Sequence, residues 1–256
     1  MTRIRHVLAA PRVTLTLDRP ERRNALDLDM IAELRQGISS AAGDPAVRVI
    51  VLTATGSTFC AGADLRGAAA LEPGSFAGSA AGALGQLLAE MMDCPLPIIA
   101  RVQGHVAGGG NGLVAAADLA VAADDATFAF PEVRLGVVPA VVAVACLPRM
   151  RPADVRELLL TGDPVPAGRA AGAGLVQRVV PADALDDVVD GWVHSLCQGG
   201  PGAMARTKHL LRLLPTLSRD DALGVAAQLS ATTFAGTEAA EGMAARLERR
   251  APSWAR

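Results

Sequence analysis

Gly104-His105-Val106-Ala107-Gly108-Gly109-Gly110-Asn111-Gly112, with Phe130-Pro131-Glu132-Val133 downstream, is the stretch on which the fold turns. Three successive glycines stand where an apolar helix begins, near Gly110, so the first backbone amides of that helix lack intrahelical acceptors and sit at its positive end. Upstream, Phe59-Cys60-Ala61-Gly62-Ala63-Asp64 forms a second glycine-containing loop. Together the two loops offer two outward-turned amides and, in Glu132, one carboxylate. That set suits the stabilisation of a developing oxyanion while a single acid moves a proton. A plainer alternative stands beside it: glycine-rich loops before helices also serve tight turns and close packing. Neither Gly-x-Gly-x-x-Gly nor a Gly-Lys-Ser/Thr phosphate loop is present, so nucleotide binding is not indicated.

Working outward, the first 145 residues or so alternate strand-like and helix-like pieces. Val13 to Leu17 has period two; Asp27 is placed to cap a helix carrying Leu28, Ile31, Leu34 and Ile38 on one face. Val47–Leu52 and Pro97–Val102 are β-branched runs suited to a buried parallel sheet. Beyond Pro148 the chain reads as helices over 153–160, 182–197, 202–214, 219–233 and 237–249. The Ala/Gly-rich stretch from Ala68 to Gly85 reads as a mobile loop. Repeated strand–loop–helix units make the class α/β.

Composition agrees with a globular enzyme. The 256 residues are 51% hydrophobic and 20% charged, with a formal net charge of −2, which argues against disorder and provides no basic field for nucleic acid. Cys60, Cys94, Cys146 and Cys197 are too scattered for a zinc site or a disulfide framework, so a reducing cytoplasm is expected. No apolar run of about 18 residues is available to span a bilayer, and membrane partners are not expected. Lys208 is the sole lysine.

The chain resembles the crotonase, or enoyl-CoA hydratase/isomerase, superfamily at four places in order: Leu17-Asp18-Arg19-Pro20 through Asn24-Ala25-Leu26; Phe59 through Asp64-Leu65; Ala107-Gly108-Gly109-Gly110; and Glu241-Gly242-Met243 through Glu248-Arg249-Arg250-Ala251-Pro252. The resemblance implies a crotonase-like spiral of ββα units, taken here as residues 1–195, followed by a helical oligomerisation region at 196–256 that packs between subunits as a homotrimer or homohexamer. It implies an acyl-CoA thioester as substrate, with coenzyme A entering only as part of it and no metal or redox cofactor. Ala61 N–H is expected as the first oxyanion donor, turned outward beside Gly62, and Gly109 N–H as the second. Glu132 matches the family's Pro-Glu acid–base position, and burial there would raise its pKa. Ala61, Gly62, Ala63, Asp64 and Gly109 would line the substrate. Asp64 has the alternative of capping the next helix, and the basic segment Arg19–Arg23 either meets CoA phosphates or is a solvated loop. A thiol mechanism through Cys60 and His105 is a remote alternative, since no carboxylate orients the imidazole. His6, His194 and His209 read as isolated surface or helix residues.

One departure bears on the reaction. Hydratases of the family commonly carry a second glutamate where this chain has Gly112, and dienoyl-CoA isomerases carry an Asp where Ala140 stands. Hydration of a 2-enoyl-CoA is therefore placed only slightly ahead of Δ3-to-Δ2 isomerisation by a single Glu, with an acyl-CoA-binding protein lacking turnover as the third possibility.

Overall fold

Strand β1 (Ile4–Ala9) turns at a cis Ala10-Pro11 bond into β2 (Arg12–Leu17), and the pair is antiparallel with Ile4 opposite Leu17. The period-two pattern of β2 buries Val13, Leu15 and Leu17, while β1 covers the sheet edge and is largely exposed. These positions come from a computed structural model that describes residues 2–64 and 80–255.

From β2 onward the large sheet is parallel: β3 (Val49–Ala54), β5 (Ile98–Val102), β7 (Leu119–Ala123) and β10 (Arg178–Val180) follow in the order β1-β2-β3-β5-β7-β10. Almost continuous apolar sequence in β3, β5 and β7 reflects burial on both faces. A second sheet contains β4 (Thr58–Cys60), β6 (His105–Ala107), β8 (Thr127–Ala129) and the antiparallel β9 (Val165–Pro166). Each circuit thus lays one strand in the large sheet and the next in the small one: β3 then β4, β5 then β6, β7 then β8. This is the ββα spiral, and it stacks the β4, β6 and β8 ends side by side.

Helix α1 (Leu28–Gly43) starts where Asp27 accepts the Met30 amide at 2.9 Å. Ile31, Leu34 and Ile38 are buried, each contributing roughly 1.5–3 kcal/mol, whereas Leu28 in the first turn stays 45% exposed, unlike the expectation for that face. In the segment expected to be a mobile loop, Ala80–Gly85 instead opens helix α2 (Ala80–Asp93), because Leu84, Leu87, Leu88 and Met91 recur at helical spacing and are buried. Residues 68–79 of that segment lie outside the described residues. Helix α3 (Gly109–Ala116) is buried along its whole length, and α4 (Ala140–Cys146) packs against it.

The remainder is not purely helical. Beyond α5 (Pro152–Thr161), β9 and β10 add the last strand to each sheet, with α6 (Ala167–Ala173) between them. Two- and three-residue strands are too short for periodicity to register, and α6 is built of Ala, Gly and one Arg, which give no apolar stripe. Helices α7 (Leu185–Gln198), α8 (Pro201–Leu213), α9 (Arg219–Phe234) and α10 (Thr237–Leu247) follow as expected. Across α8 to α10 only Lys208 and Ala245 are buried, and Leu211, Leu223, Phe234, Met243 and Leu247 face outward. Lys208 Nζ donates to Met91 O (3.1 Å), Leu96 O (3.1 Å) and Asp118 Oδ2 (2.7 Å), anchoring α8 to the spiral. The C-terminal motif is a clasp: Glu241 accepts two bonds from the Arg250 guanidinium and one from Ser253 N–H, which holds its carboxyl down to about 2. Among the described residues no helix is long and apolar enough to cross a membrane.

Candidate active site

Gly108 links β6 to α3 with φ of 49°, a left-handed value that disfavours side chains. Its N–H donates to Ala129 O at 3.1 Å, at the end of β8, and its carbonyl accepts Asn111 N–H at 2.9 Å. Gly109, the first residue of α3, has an amide that meets no acceptor among the described residues. The expected second donor is therefore an open N–H at the positive end of a buried helix.

The first loop departs from expectation in one respect. Residues 61–64 run parallel to residues 23–26: Leu26 N–H donates to Gly62 O (2.8 Å), Asp64 N–H to Leu26 O (2.9 Å), and Ala61 N–H to Arg23 O (3.0 Å). Ala61 N–H is thus engaged and is not the open donor. In a parallel bridge the residues flanking the paired one bond to the neighbour, so Ala63, opposite Leu26, faces its amide away. Ala63 N–H has no acceptor among the described residues, and Ala63 is exposed. Gly62, at φ 87°, abuts the second loop: a Cβ there would lie 3.0 Å from Ala107 O and 3.3 Å from Gly109 N.

Glu132 leaves β8 on a 3-10 turn (Pro131–Leu135) behind the fully buried Phe128 and Phe130, and closes the same corner. A Cβ on Gly108 would lie 3.2 Å from its Oε1. Oε2 is buried with no partner among the described residues. Burial raises the Glu132 pKa, opposed in part by its own backbone N–H. The turn is tied to the end of α5 by Arg134, whose Nε donates to Thr161 O at 2.9 Å and whose Nη2 pairs with Asp163.

Gly112 faces carbon rather than a polar space, since a Cβ there would lie 3.0 Å from Leu88 Cδ1 and 3.7 Å from Val142 Cγ2. Asp64 pairs with Arg19 at 3.7 Å; the segment after it, and with it the capping alternative, lies outside the described residues. Arg19 also pairs with Asp27 and is part of the loop's framework, leaving Arg22 and Arg23 as the exposed cations of that segment.

Both partners of the thiol alternative are committed elsewhere. Cys60 is completely buried beneath Gly110 and its pKa is pushed up to about 12 by burial. His105 Nδ1 is bonded to Thr127 Oγ1 at 2.8 Å, and burial followed by the Arg23 charge lowers its pKa. Among the described residues no cluster of His, Cys, Asp and Glu could hold a metal ion.

Residues 12–256 match the family model described as enoyl-CoA hydratase/isomerase, and the chain belongs to that family. It is 35% identical to a carnitinyl-CoA dehydratase of Citrobacter koseri over 95% of each chain. The structure superimposes on an enoyl-CoA hydratase of Mycobacterium smegmatis with TM-score 0.93, 34% identity and 98% of each chain covered. An enoyl-CoA hydratase/isomerase from Marinobacter aquaeolei gives TM-score 0.92, 32% identity and 99% coverage of each chain. The protein is an enzyme of the hydratase/lyase kind within this acyl-CoA family.

Proposed function

We propose that the protein reversibly hydrates a 2-enoyl-CoA, with Glu132 as its only acid–base group and the amides of Ala63 and Gly109 holding the thioester oxygen. The observation that carries this is Glu132 itself: a desolvated carboxyl beside Gly108, with Oε2 free of any protein partner among the described residues. One carboxylate suffices in sequence. As the water oxygen bonds to the β-carbon, Glu132 takes a water proton and the π electrons move onto the thioester oxygen as an enolate. The enolate then collapses as its α-carbon takes that proton from Glu132. Water has been added across the double bond and the carboxylate is regenerated. Two amides at the oxygen would each be worth about 10²–10³ in kcat.

Isomerisation of a 3-enoyl-CoA is the second reading, favoured by the carbon atoms of Leu88 and Val142 that lie nearest to a side chain built at Gly112. There Glu132 takes a proton from the α-carbon and returns it to the γ-carbon. Assembly is part of the proposal: the outward apolar side chains of α8 to α10 suit burial between subunits of a homotrimer or homohexamer. The test is turnover of a panel of 2-enoyl, 3-enoyl, branched and 3-hydroxyacyl thioesters by wild type and Glu132→Gln. Hydration lost in Glu132→Gln with binding kept is expected. Isomerisation alone would select the second reading, and tight binding without any turnover would make the protein an acyl-CoA binder.

A further inference from the structure

We propose that Asn111 is a positioning residue that locks the open Gly109 amide in register with the segment delivering Glu132. The proposal rests on Glu132 as the acid–base group of the proposed function. Three hydrogen bonds enclose Gly109: Asn111 N–H to Gly108 O at 2.9 Å, Gly108 N–H to Ala129 O at 3.1 Å, and Asn111 Nδ2 to the same Ala129 oxygen at 2.6 Å. Ala129 ends β8, and Glu132 follows on the turn that starts two residues later. Any slip of α3 along β8 therefore breaks at least one of these bonds. While all three hold, the turn that carries the Gly109 amide stays pinned to the end of β8, three residues before Glu132.

Space filling does not explain an asparagine here. The side chain is completely buried, and its Oδ1 has no partner among the described residues. An apolar side chain of the same size would fill the place without stranding an acceptor. What asparagine adds is the Nδ2 donor. The chain has only one other asparagine, Asn24, likewise fully buried, whose Nδ2 donates to Thr55 O and Thr58 O in the wall of the first loop.

Asn111→Leu keeps the four side-chain heavy atoms and the branch at Cγ, with more bulk, and removes the donor; Asn111→Ser, smaller and polar, is the second variant. For folded protein, kcat on the thioester that wild type turns over is expected to fall about 10- to 100-fold, as misplacement by about 1 Å produces, with KM changed less than about threefold. The acid limb of kcat should move down toward the ordinary carboxylate range as water reaches Glu132. A merely structural residue would lower the melting temperature and the folded fraction but leave the pH limb in place. Wild type supplies an independent readout that needs no variant to fold. In protein labelled with 15N-asparagine, the Asn111 carboxamide should shift with pH through the Glu132 titration, should stop doing so in Glu132→Gln, and the Asn24 carboxamide should stay still. An unchanged kcat and pH limb in folded Asn111→Leu, or a pH-silent Asn111 carboxamide, overturns the proposal. Turnover surviving in Glu132→Gln would instead overturn the proposed function, so the two failures are separable.

Discussion

The Oε1 atom of Glu132 lies 3.2 Å from the point where a Cβ on Gly108 would stand. The glycine therefore makes room for the carboxylate, besides adopting its φ of 49°. Gly108→Ala meets both obstacles, displacing the acid and straining the entry to α3. We expect kcat on the turned-over thioester to drop by about 10²-fold, comparable to losing one oxyanion donor. A variant as active as wild type would show that Glu132 does not need this corner.

Glu132→Gln should be more stable than wild type near neutrality. The pKa of Glu132 is raised in the folded state by burial. Below the unfolded-state pKa, about 4.3, both states are protonated and the side chain carries no ionisation penalty. As pH rises the unfolded chain ionises first, and the stability associated with the protonated group is fully lost once pH passes the raised folded value. The melting temperature of the variant minus that of wild type should therefore be close to zero at acid pH and positive at pH 8. A difference of the opposite sign would contradict a desolvated carboxylate.

The same shift predicts the kinetics. The base form of Glu132 is needed for attack, so kcat/KM should rise with pH along an acid limb centred above the ordinary glutamate range. A pH–rate profile on a saturable thioester measures this directly. A limb at the unperturbed value would mean that the site is open to water when it works.

Placing a carboxylate at Gly112 is expected to fail by itself. The new Cβ would approach Leu88 Cδ1 to 3.0 Å, and its carboxylate would start among Leu88 and Val142. Gly112→Glu should therefore leave crotonyl-CoA hydration unimproved, whereas Gly112→Glu with Leu88→Ala, which opens the wall, should raise it relative to Leu88→Ala alone. Improvement by the single change would show that Leu88 yields easily.

Light scattering on the purified protein should report a trimer or a hexamer. Leu223, Phe234 and Leu247 are 64%, 68% and 84% exposed in one chain, on helices that bury almost nothing of their own. A stable monomer would leave those side chains in water and count against the proposed assembly.

Most of the spiral is legible in the sequence because its central strands are long β-branched runs and its helices carry apolar stripes. The pieces that escape are those whose partners are distant. Strands β9 and β10 exist through pairing with β8 and β7, and their two or three residues have no pattern of their own. The site divides in the same manner. Gly109 and Glu132 can be singled out from local chemistry, a helix start and a Pro-Glu turn. Which amide of the first loop is open depends on residues 23–26 lying alongside 61–64, a contact some forty residues apart in sequence. Gly62 draws attention to Ala61, but the Arg23 carbonyl occupies that amide and leaves Ala63 open. Asn111 gives no local signal, since its role arises only where β8 meets α3.

Thioesters acylate free amines, and an enzyme that holds them at its surface is exposed to that side reaction. This chain has a single lysine, and the three protons of its ammonium group are donated to Met91, Leu96 and Asp118 in a site only 9% accessible. Every other cationic side chain apart from histidine is an arginine, whose guanidinium stays protonated and is no nucleophile. Its lysine complement thus offers such substrates no free side-chain amine to modify.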